Sequence, residues 1–248
     1  MDFIKRNREL LSVQLASISA LPAWYPFFAN HLRVKSEILL ESKQKLSIGL
    51  LYRGIVTTSL LQPLFPLAFA VKNLATVQAQ KHGLYNKQTD FGITMLTGMS
   101  TVAVANPIDV IILKRQQGKS NMDIIKTTPI RDYYKGSVPF AMRNGIFFCG
   151  LTSIYSHMTS IIPFDFGAAV LTSVLCNFLI VPLDLSSVMR QSSNYHGYNA
   201  RQCIYNVYQQ KGIRGLFAGY MSRSMATATE IFLFNYLKKY YETMISEV

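Results

Sequence analysis

Residues 199–225 read NARQCIYNVYQQKGIRGLFAGYMSRSM and contain two helices separated by a glycine. Ile204 and Val207 fall on one face of the first helix, which is therefore amphipathic. Gly212 follows this helix and offers the left-handed backbone conformation that ends helices. We predict a short surface helix, a stop at Gly212 and a longer second helix that becomes apolar from Phe232 onward.

The second half of this unit recurs twice more in the chain. An aromatic residue, a variable residue and a glycine precede an apolar run at three nearly equally spaced places: Tyr52-Arg53-Gly54, Tyr134-Lys135-Gly136 and Phe217-Ala218-Gly219. Self-similarity at a regular interval indicates an internal repeat. We predict three repeats, at residues 1–85, 86–160 and 161–248, that form one integrated transmembrane domain.

Six segments of the chain carry few or no charged residues. They are Leu10–Asn30, Ile55–Val71, Phe91–Pro107, Ser137–Ser156, Phe166–Pro182 and Thr227–Tyr236. With their less polar flanks, these segments approach the roughly 20 residues that a bilayer-spanning helix needs. A soluble bundle of six buried helices is the alternative, but such helices usually carry a charged, solvent-facing side. The pattern therefore favours an all-α membrane protein with six spans in three pairs and both termini on one side.

The net charge of +12 is high for a chain in which 50% of the residues are hydrophobic. Most basic residues lie between or beyond the apolar segments, where they can face anionic lipid headgroups. Nucleic-acid binding would require basic residues gathered among exposed aromatic residues, whereas the aromatic residues here lie mostly inside apolar segments. We therefore expect membrane lipids, and no nucleic acid, as partners.

No residue pattern indicates an enzyme, a metal site or an organic cofactor. The histidines fall singly in loops or at helix ends and are interpreted as interfacial or solvated residues: His31, His82, His157 and His196. The cysteines lack metal-ligand spacing and are predicted to be free thiols: Cys149, Cys176 and Cys203. The basic and then apolar N-terminal region fits the first span better than a cleaved secretory signal, since no clear small-residue cleavage site precedes a soluble domain.

A proline lies at the end of each odd-numbered predicted span. Pro107 is followed by Asp109 and Pro182 by Asp184, whereas Pro26 has no acid behind it. Proline in a membrane helix removes one backbone hydrogen bond and bends the axis, and an acid in a low dielectric needs a cation as partner. We expect three kinked helices that meet at one end.

The proline corners and the glycine turns together resemble those of the mitochondrial carrier family, over essentially the whole chain. That family repeats three times a motif of proline, any residue and an acid followed by two bases, and then an aromatic-base-glycine turn; Ala218 replaces the third turn's base. The resemblance implies a barrel of six tilted helices around a central cavity, with short helices at the matrix surface. It also implies a monomeric, multi-pass transporter of the mitochondrial inner membrane that works by alternating access.

In this family, ion pairs between repeats close the cavity on the matrix side. The resemblance assigns that matrix-side gate to Pro26, His31, Arg33, Pro107, Asp109, Lys114, Gln116, Pro182, Asp184 and Gln191. The set of bases is incomplete, because Ile112, Ser187 and Met189 stand at positions where the family has bases. Weak closure would mean either fast gating or a loss of transport.

The resemblance places substrate contacts two turns after each glycine turn. These positions are Leu61, Gln62, Arg143, Asn144, Ala226 and Thr227. Arg143 also stands out by its chemistry, because it is the only formal charge between Ser137 and Ser156. A guanidinium at that depth needs water, an anion or a carboxylate. Arg143 therefore either binds the carboxylate or phosphate of a substrate, or pairs internally with Glu230.

An arginine followed by an asparagine at this contact resembles carriers of keto acids and dicarboxylates. We therefore expect a small anionic solute of the carboxylate or keto acid type, exchanged by antiport. A nucleotide carrier, or a degenerate carrier-fold adaptor without transport, is the alternative.

Three further sets of residues have predicted roles. The resemblance implies that cardiolipin, the one bound lipid expected in place of a cofactor, lies at the helix N-termini formed by Arg53, Gly54, Lys135, Gly136 and Gly219. Arg223 either lines the cavity floor or extends to the membrane interface. Gly92 and Gly98 are expected to permit close helix packing.

Overall fold

A computed structural model describes residues 2–40, 48–52, 55–116, 119–191 and 198–246. The regular structure within these ranges is helical, and no strand occurs in them. The helices are α1 (Asp2–Leu40), α2 (Ile48–Leu51), α3 (Ile55–Ser59), α4 (Leu64–Lys81), α5 (Lys87–Ser100), α6 (Val102–Gln116), α7 (Asn121–Thr127), α8 (Ser137–Cys149), α9 (Tyr155–Ile161), α10 (Asp165–Gln191), α11 (Ala200–Leu216) and α12 (Tyr220–Ser246). A 3-10 turn at Ile130–Tyr134 precedes α8, and a π-helical segment at Gly150–Ile154 joins α8 to α9.

The six predicted apolar segments are largely helical, with turns at residues 60–63, but only some are apolar enough to qualify as spans by length and composition. Within the described ranges, Ile55–Lys81 and Asp165–Gln191 meet that standard. The pair Lys87–Ser100 and Val102–Arg115, bent by 50° at its break, counts as a third if it forms one span. The other segments contain polar or charged residues such as Arg143 and Glu230. Six crossings in three repeats stay a prediction.

The long helices pack in an order that returns to its starting point. Helix α1 contacts α4, α4 contacts α5, α5 contacts α8, α8 contacts α10, α10 contacts α12, and α12 packs along α1. Two apolar clusters lie between these helices, one around Phe69, Phe148 and Phe234 and the other around Trp24 and Tyr25. This order leaves a cavity between the helices.

The three corner prolines lie inside helices, as a proline kink requires, and each helix continues beyond the end of the predicted span. Helix α1 continues beyond Pro26 to Leu40, and α10 continues beyond Pro182 to Gln191. Helix α6 likewise continues past Pro107, and the 50° bend of this segment lies earlier, between Ser100 and Val102. A proline removes a single backbone donor, so the hydrogen bonds on both sides of it can maintain the helix.

The 199–225 region has the predicted two-helix form, with a modification at Gly212. Asn199 and Gln202 form a reciprocal capping box, in which the Gln202 backbone N–H donates to Asn199 Oδ1 at 2.9 Å. Gly212 adopts φ 61° and ψ −164°, which confirms a positive φ, but helical structure resumes and ends at Leu216. The apolar face of α11 buries Val207 beside Met189 of α10.

One of the two predicted packing glycines of α5 lies at a close helix contact. A Cβ at Gly98 would lie 2.7 Å from both the Asn144 carbonyl oxygen and Phe148 Cβ, so α5 and α8 approach closely there. The expectation is wrong for Gly92, since no atom of the described residues lies within 4 Å of a Cβ at that position. The three cysteines are free and buried, as predicted.

Candidate functional site

An open cavity lies between the helices, with an empty volume of about 800 Å³ including the part open to solvent. Much of its wall is apolar and aromatic, with Trp24, Phe65 and Phe147 among the lining residues. Its charged lining residues are Asp109, Arg143, Arg223 and Glu230. Ionisable side chains in a wall of this kind are costly to bury without a partner, so the partners of each one decide what the cavity can bind.

Asp184 is the centre of a buried ion cluster that adjoins the cavity. Its Oδ1 lies 2.5 Å from Arg143 Nη1, and its Oδ2 lies 3.1 Å from His31 Nε2 and 3.3 Å from Lys35 Nζ. The Asp184 side chain is only 1% exposed. One carboxylate thus joins basic side chains from α1 and α8 to α10.

Arg143 connects this cluster to the cavity and to a second acid. Its Nη1 lies 3.9 Å from Asp109 Oδ2, and its Nε and Nη2 donate to Asn144 Oδ1 at 3.2 and 3.1 Å. Asn144 Nδ2 in turn donates to Thr101 Oγ1 at 3.1 Å. The guanidinium carbon also lies 3.9 Å from the centroid of the Phe140 ring. Arg143 is therefore held by acids, an amide and an aromatic face together.

Of the two alternatives for Arg143, the internal ion pair with Glu230 does not occur in the described structure. Among the residues that the structure describes, the ion pairs of Arg143 are with Asp184 and Asp109. Glu230 is 8% exposed and lines the cavity. Asp184 lies 41 residues beyond Arg143 in the sequence. At that separation, the sequence alone did not predict their contact.

His31 is fully buried, so its interpretation as an interfacial or solvated residue is wrong. Its Nδ1 donates to the Gly219 carbonyl oxygen at 3.0 Å, while its Nε2 faces Asp184. His82 and His157 are exposed as predicted, and His196 lies outside the described residues. Helix α1 is held to α10 and to the turn before α12 through this one ring.

The other residues assigned to the gate have different partners. Lys114 Nζ donates to Thr128 Oγ1 at 2.6 Å, and Arg33 Nε donates to Asn30 Oδ1 at 3.1 Å. Gln191 Nε2 donates to Asn106 Oδ1 at 3.4 Å and lies 3.5 Å from Ser187 Oγ. The side chain of Gln116 lies outside the described part of the chain. The structure therefore brings His31, Asp109 and Asp184 into one cluster and places Lys114 and Gln191 beside neutral groups.

Lys35 belongs to this cluster although it was not among the predicted gate residues. It is fully buried and also lies 3.5 Å from the Val181 carbonyl oxygen. A usable signal was present, because Lys35 follows His31 by four residues and so lies one helical turn further along the same face. The family pattern drew attention to Arg33 instead.

The predicted substrate contacts fall into two groups. Leu61, Gln62, Arg143 and Asn144 line the cavity. Ala226 and Thr227 do not line it, and both are 1% exposed. Their short side chains are covered by packing, and Ala226 joins the apolar cluster around Trp24.

Arg223 lines the cavity and is 7% exposed, which decides between the two alternatives for this residue. Its guanidinium carbon lies 5.0 Å from the centroid of the Phe28 ring. It is therefore a second cavity arginine, and it does not extend to the membrane interface.

Two of the glycine turns assigned to lipid pack closely against other helices, and the second of them contacts the ion cluster. Gly136 has φ 79° and its carbonyl accepts from Ser187 Oγ at 3.3 Å, while Gly219 has φ 77° and its carbonyl accepts from His31. Lys135 Nζ lies 2.6 Å from Asp132 Oδ1. Arg53 and Gly54 lie outside the described residues. Cardiolipin binding at these turns stays a prediction.

Comparison with known proteins shows a similarity to one family over part of the chain. Residues 160–246 match the family described as mitochondrial carrier protein. A relative named mitochondrial glycine transporter, from Emericella nidulans, is 22% identical over 166 residues. The chain is therefore similar to mitochondrial carriers over the matched part of its length. The match to the relative covers 52% of the chain and 51% of the relative, so the chain matches about half the length of that protein.

Proposed function

We propose that this carrier transports a small, carboxylate-bearing metabolite across the mitochondrial inner membrane by alternating access. The observation that carries the proposal is the open cavity, in which Arg143 and Arg223 face a space walled largely by apolar and aromatic residues. Arginine presents a planar fork of donors that matches a carboxylate, and a low-dielectric wall strengthens the attraction. The match of residues 160–246 to the mitochondrial carrier family supports both transport and the location in the inner membrane.

The ion cluster supplies a mechanism that couples binding to movement. Arg143 donates to Asp184 while it also lines the cavity. The carboxylate of a substrate in this cavity attracts Arg143 as well as Arg223, and this attraction competes with that of Asp184 and weakens the contact between α8 and α10. Once that contact weakens, His31 and Lys35 are the remaining ties of Asp184 to α1. Substrate binding thus favours a state in which α8 and α10 separate on the matrix side.

The carboxylate is favoured over a nucleotide by the charges of the cavity. Asp109 and Glu230 line the same wall as the two arginines, and a nucleotide would bring several negative charges close to both acids. The related protein from Emericella nidulans is named for glycine, which carries a carboxylate. The adjacent Arg143 and Asn144 favour the keto acid and carboxylate type of carrier, and we propose that exchange is by antiport.

The membrane arrangement that we propose follows the helix order. Six tilted helices surround the cavity in three repeats, residues 1–85, 86–160 and 161–248, with α7 and α11 at the matrix surface. The closed packing order from α1 to α12 supports this arrangement. Cardiolipin at the N-termini after Gly136 and Gly219, and a monomeric functional unit, belong to the same proposal.

A carrier-fold adaptor without transport is the second candidate, and the incomplete gate favours it. Ile112 and Met189 are buried in apolar clusters at positions where the family has bases. Ser187 hydrogen-bonds the Gly136 carbonyl instead of an acid. Asp109 consequently has one ion-pair partner, Arg143, among the described residues.

Reconstitution in proteoliposomes tests the proposal. The purified protein is assayed for uptake of radiolabelled keto acids, dicarboxylates, amino acids and nucleotides, with and without the same solute inside. We expect uptake of at least one small carboxylate compound that depends on internal counter-substrate. Absence of uptake for the whole panel, from protein that is correctly folded in the membrane, would overturn transport and favour the adaptor.

A further inference from the structure

Helix α12 presents an acid and a cation to the cavity two turns apart. Arg223 and Glu230 are separated by seven residues, which corresponds to about 10 Å along a helix. Both line the cavity, and they are only 7% and 8% exposed. One face of a single helix thus carries both signs of charge into the same enclosed space.

Neither side chain has an ion-pair partner within 4.0 Å among the residues that the structure describes. Arg223 Nε is buried without a hydrogen-bond partner in the described chain. By contrast, Arg143 is bound to Asp184 and lies 3.9 Å from Asp109. A buried ion without a partner is strongly destabilising, so such a pair in an open cavity is suited to a ligand that supplies both missing charges.

The balance of charge defines that ligand. The acids Asp109 and Glu230 and the arginines Arg143 and Arg223 give the cavity wall two negative and two positive residues. Arg143 already forms an ion pair with Asp184, and Asp109 lies 3.9 Å from Arg143. Arg223 and Glu230 are therefore left to bind the ligand. A dicarboxylate or a nucleotide would bring excess negative charge towards Glu230, whereas a molecule with one carboxylate and one ammonium adds no net charge.

We propose that the transported substrate is a small zwitterionic amino acid, whose carboxylate binds Arg223 and whose ammonium group binds Glu230. The assignment rests on the proposed transport function and narrows its substrate class. Arg223 is fixed against the Phe28 ring and provides donors for a carboxylate. Glu230 accepts from the ammonium, which a keto acid lacks. Glu230 is therefore the residue that distinguishes an amino acid from its keto acid.

Matched probes test this assignment in proteoliposomes. Alanine and pyruvate share a three-carbon skeleton and differ at the ammonium, as do serine and hydroxypyruvate, while ethylamine is alanine without its carboxylate. We expect the wild-type protein to exchange an amino acid at least tenfold faster than its keto acid and than ethylamine. Glu230→Gln should reduce amino acid exchange at least tenfold and remove the preference over the keto acid. Arg223→Gln should reduce exchange of both.

Glu242→Gln serves as the control, since Glu242 lies on the same helix with a 43% exposed side chain that pairs with Lys238. It should leave the preference unchanged. The melting temperature of Glu230→Gln in detergent should equal or exceed that of the wild type, because an unpaired buried acid is removed. A lower melting temperature with unchanged preference would assign Glu230 a structural role and overturn the assignment.

Two further outcomes separate the assignment from the proposed function. Faster exchange of pyruvate and hydroxypyruvate than of their amino acids would overturn the zwitterion and leave carboxylate transport standing. Alanine or serine that raises the melting temperature in a Glu230-dependent way, without any uptake, would support the site and overturn transport. Neither uptake nor stabilisation by these amino acids would overturn the assignment of the site.

Discussion

Arg143 Nη1 lies 2.5 Å from Asp184 Oδ1, so the arginine in the middle of α8 is joined to the acid that follows Pro182 on α10. The same carboxylate contacts His31 and Lys35 of α1. A residue expected to contact substrate and a residue expected to close the matrix side are therefore bonded to each other. Arg143 therefore both lines the cavity and pairs with Asp184, so this pair connects the cavity wall to the ion cluster.

Loss of Arg143 should destabilise the protein through Asp184. Breaking a buried ion pair by removal of one partner costs on the order of 3–5 kcal/mol, and we expect Arg143→Ala to fall near 3 kcal/mol because His31 and Lys35 still contact Asp184. The double variant Arg143→Ala with Asp184→Ala should be more stable than the sum of the two single losses predicts. Denaturant unfolding in detergent measures these differences. Equal coupling of Arg143 to Glu230 and to Asp184 in such cycles would contradict the observed pairing.

Lys35 should matter more for stability than Arg33, although both are basic and two residues apart. Lys35→Met removes a fully buried partner of Asp184 and should cost about 1–3 kcal/mol. Arg33→Met changes a partly exposed side chain whose guanidinium bonds Asn30, and its cost should be smaller. Thermal unfolding of the two variants side by side gives the order. The reverse order would show that Lys35 does not hold α1 to α10.

Gly219 should tolerate alanine poorly for two separate reasons. Its φ of 77° is unfavourable for any residue with a Cβ, at about 1–2 kcal/mol, and that Cβ would lie 2.8 Å from His31 Nδ1. Gly83 is the matched control, since it has φ 66° but nothing within 4 Å of a Cβ. We expect Gly219→Ala to destabilise more than Gly83→Ala, and to lower transport as well. Equal losses would mean that the contact with His31 is unimportant.

Gly98 and Gly92 provide a second matched pair on one helix. Gly98→Ala inserts a methyl group 2.7 Å from the Asn144 carbonyl oxygen and should cost about 1–3 kcal/mol by forcing α5 from α8. Gly92→Ala meets open space and should be neutral or stabilise by about 0.5–1 kcal/mol, since alanine favours helix over glycine. Melting temperatures of the two variants report the difference. A stabilised Gly98→Ala protein would refute the close contact.

The sequence predicted the local features of this protein well. The six apolar segments are largely helical, the three cysteines are free, and Gly212 has a positive φ. These features depend on residues within a few turns of one another, whose spacing and backbone preference can be seen in a short window. The resemblance to mitochondrial carriers also rests on local motifs, the proline corners and the glycine turns. Residues 160–246 match that family.

The sequence by itself determined which segments are largely helical and which charged residues lie inside apolar segments, namely Arg143 and Glu230. Only the tertiary structure decided that Arg143 meets Asp184 and leaves Glu230 to the cavity, that Lys35 joins the cluster, and that Gly98 but not Gly92 lies at a close contact. The physical reason is distance along the chain. Helix formation depends on residues that are close together in the sequence. His31 and Asp184 are 153 residues apart, and they are in contact only because α1 and α10 pack around the same cavity.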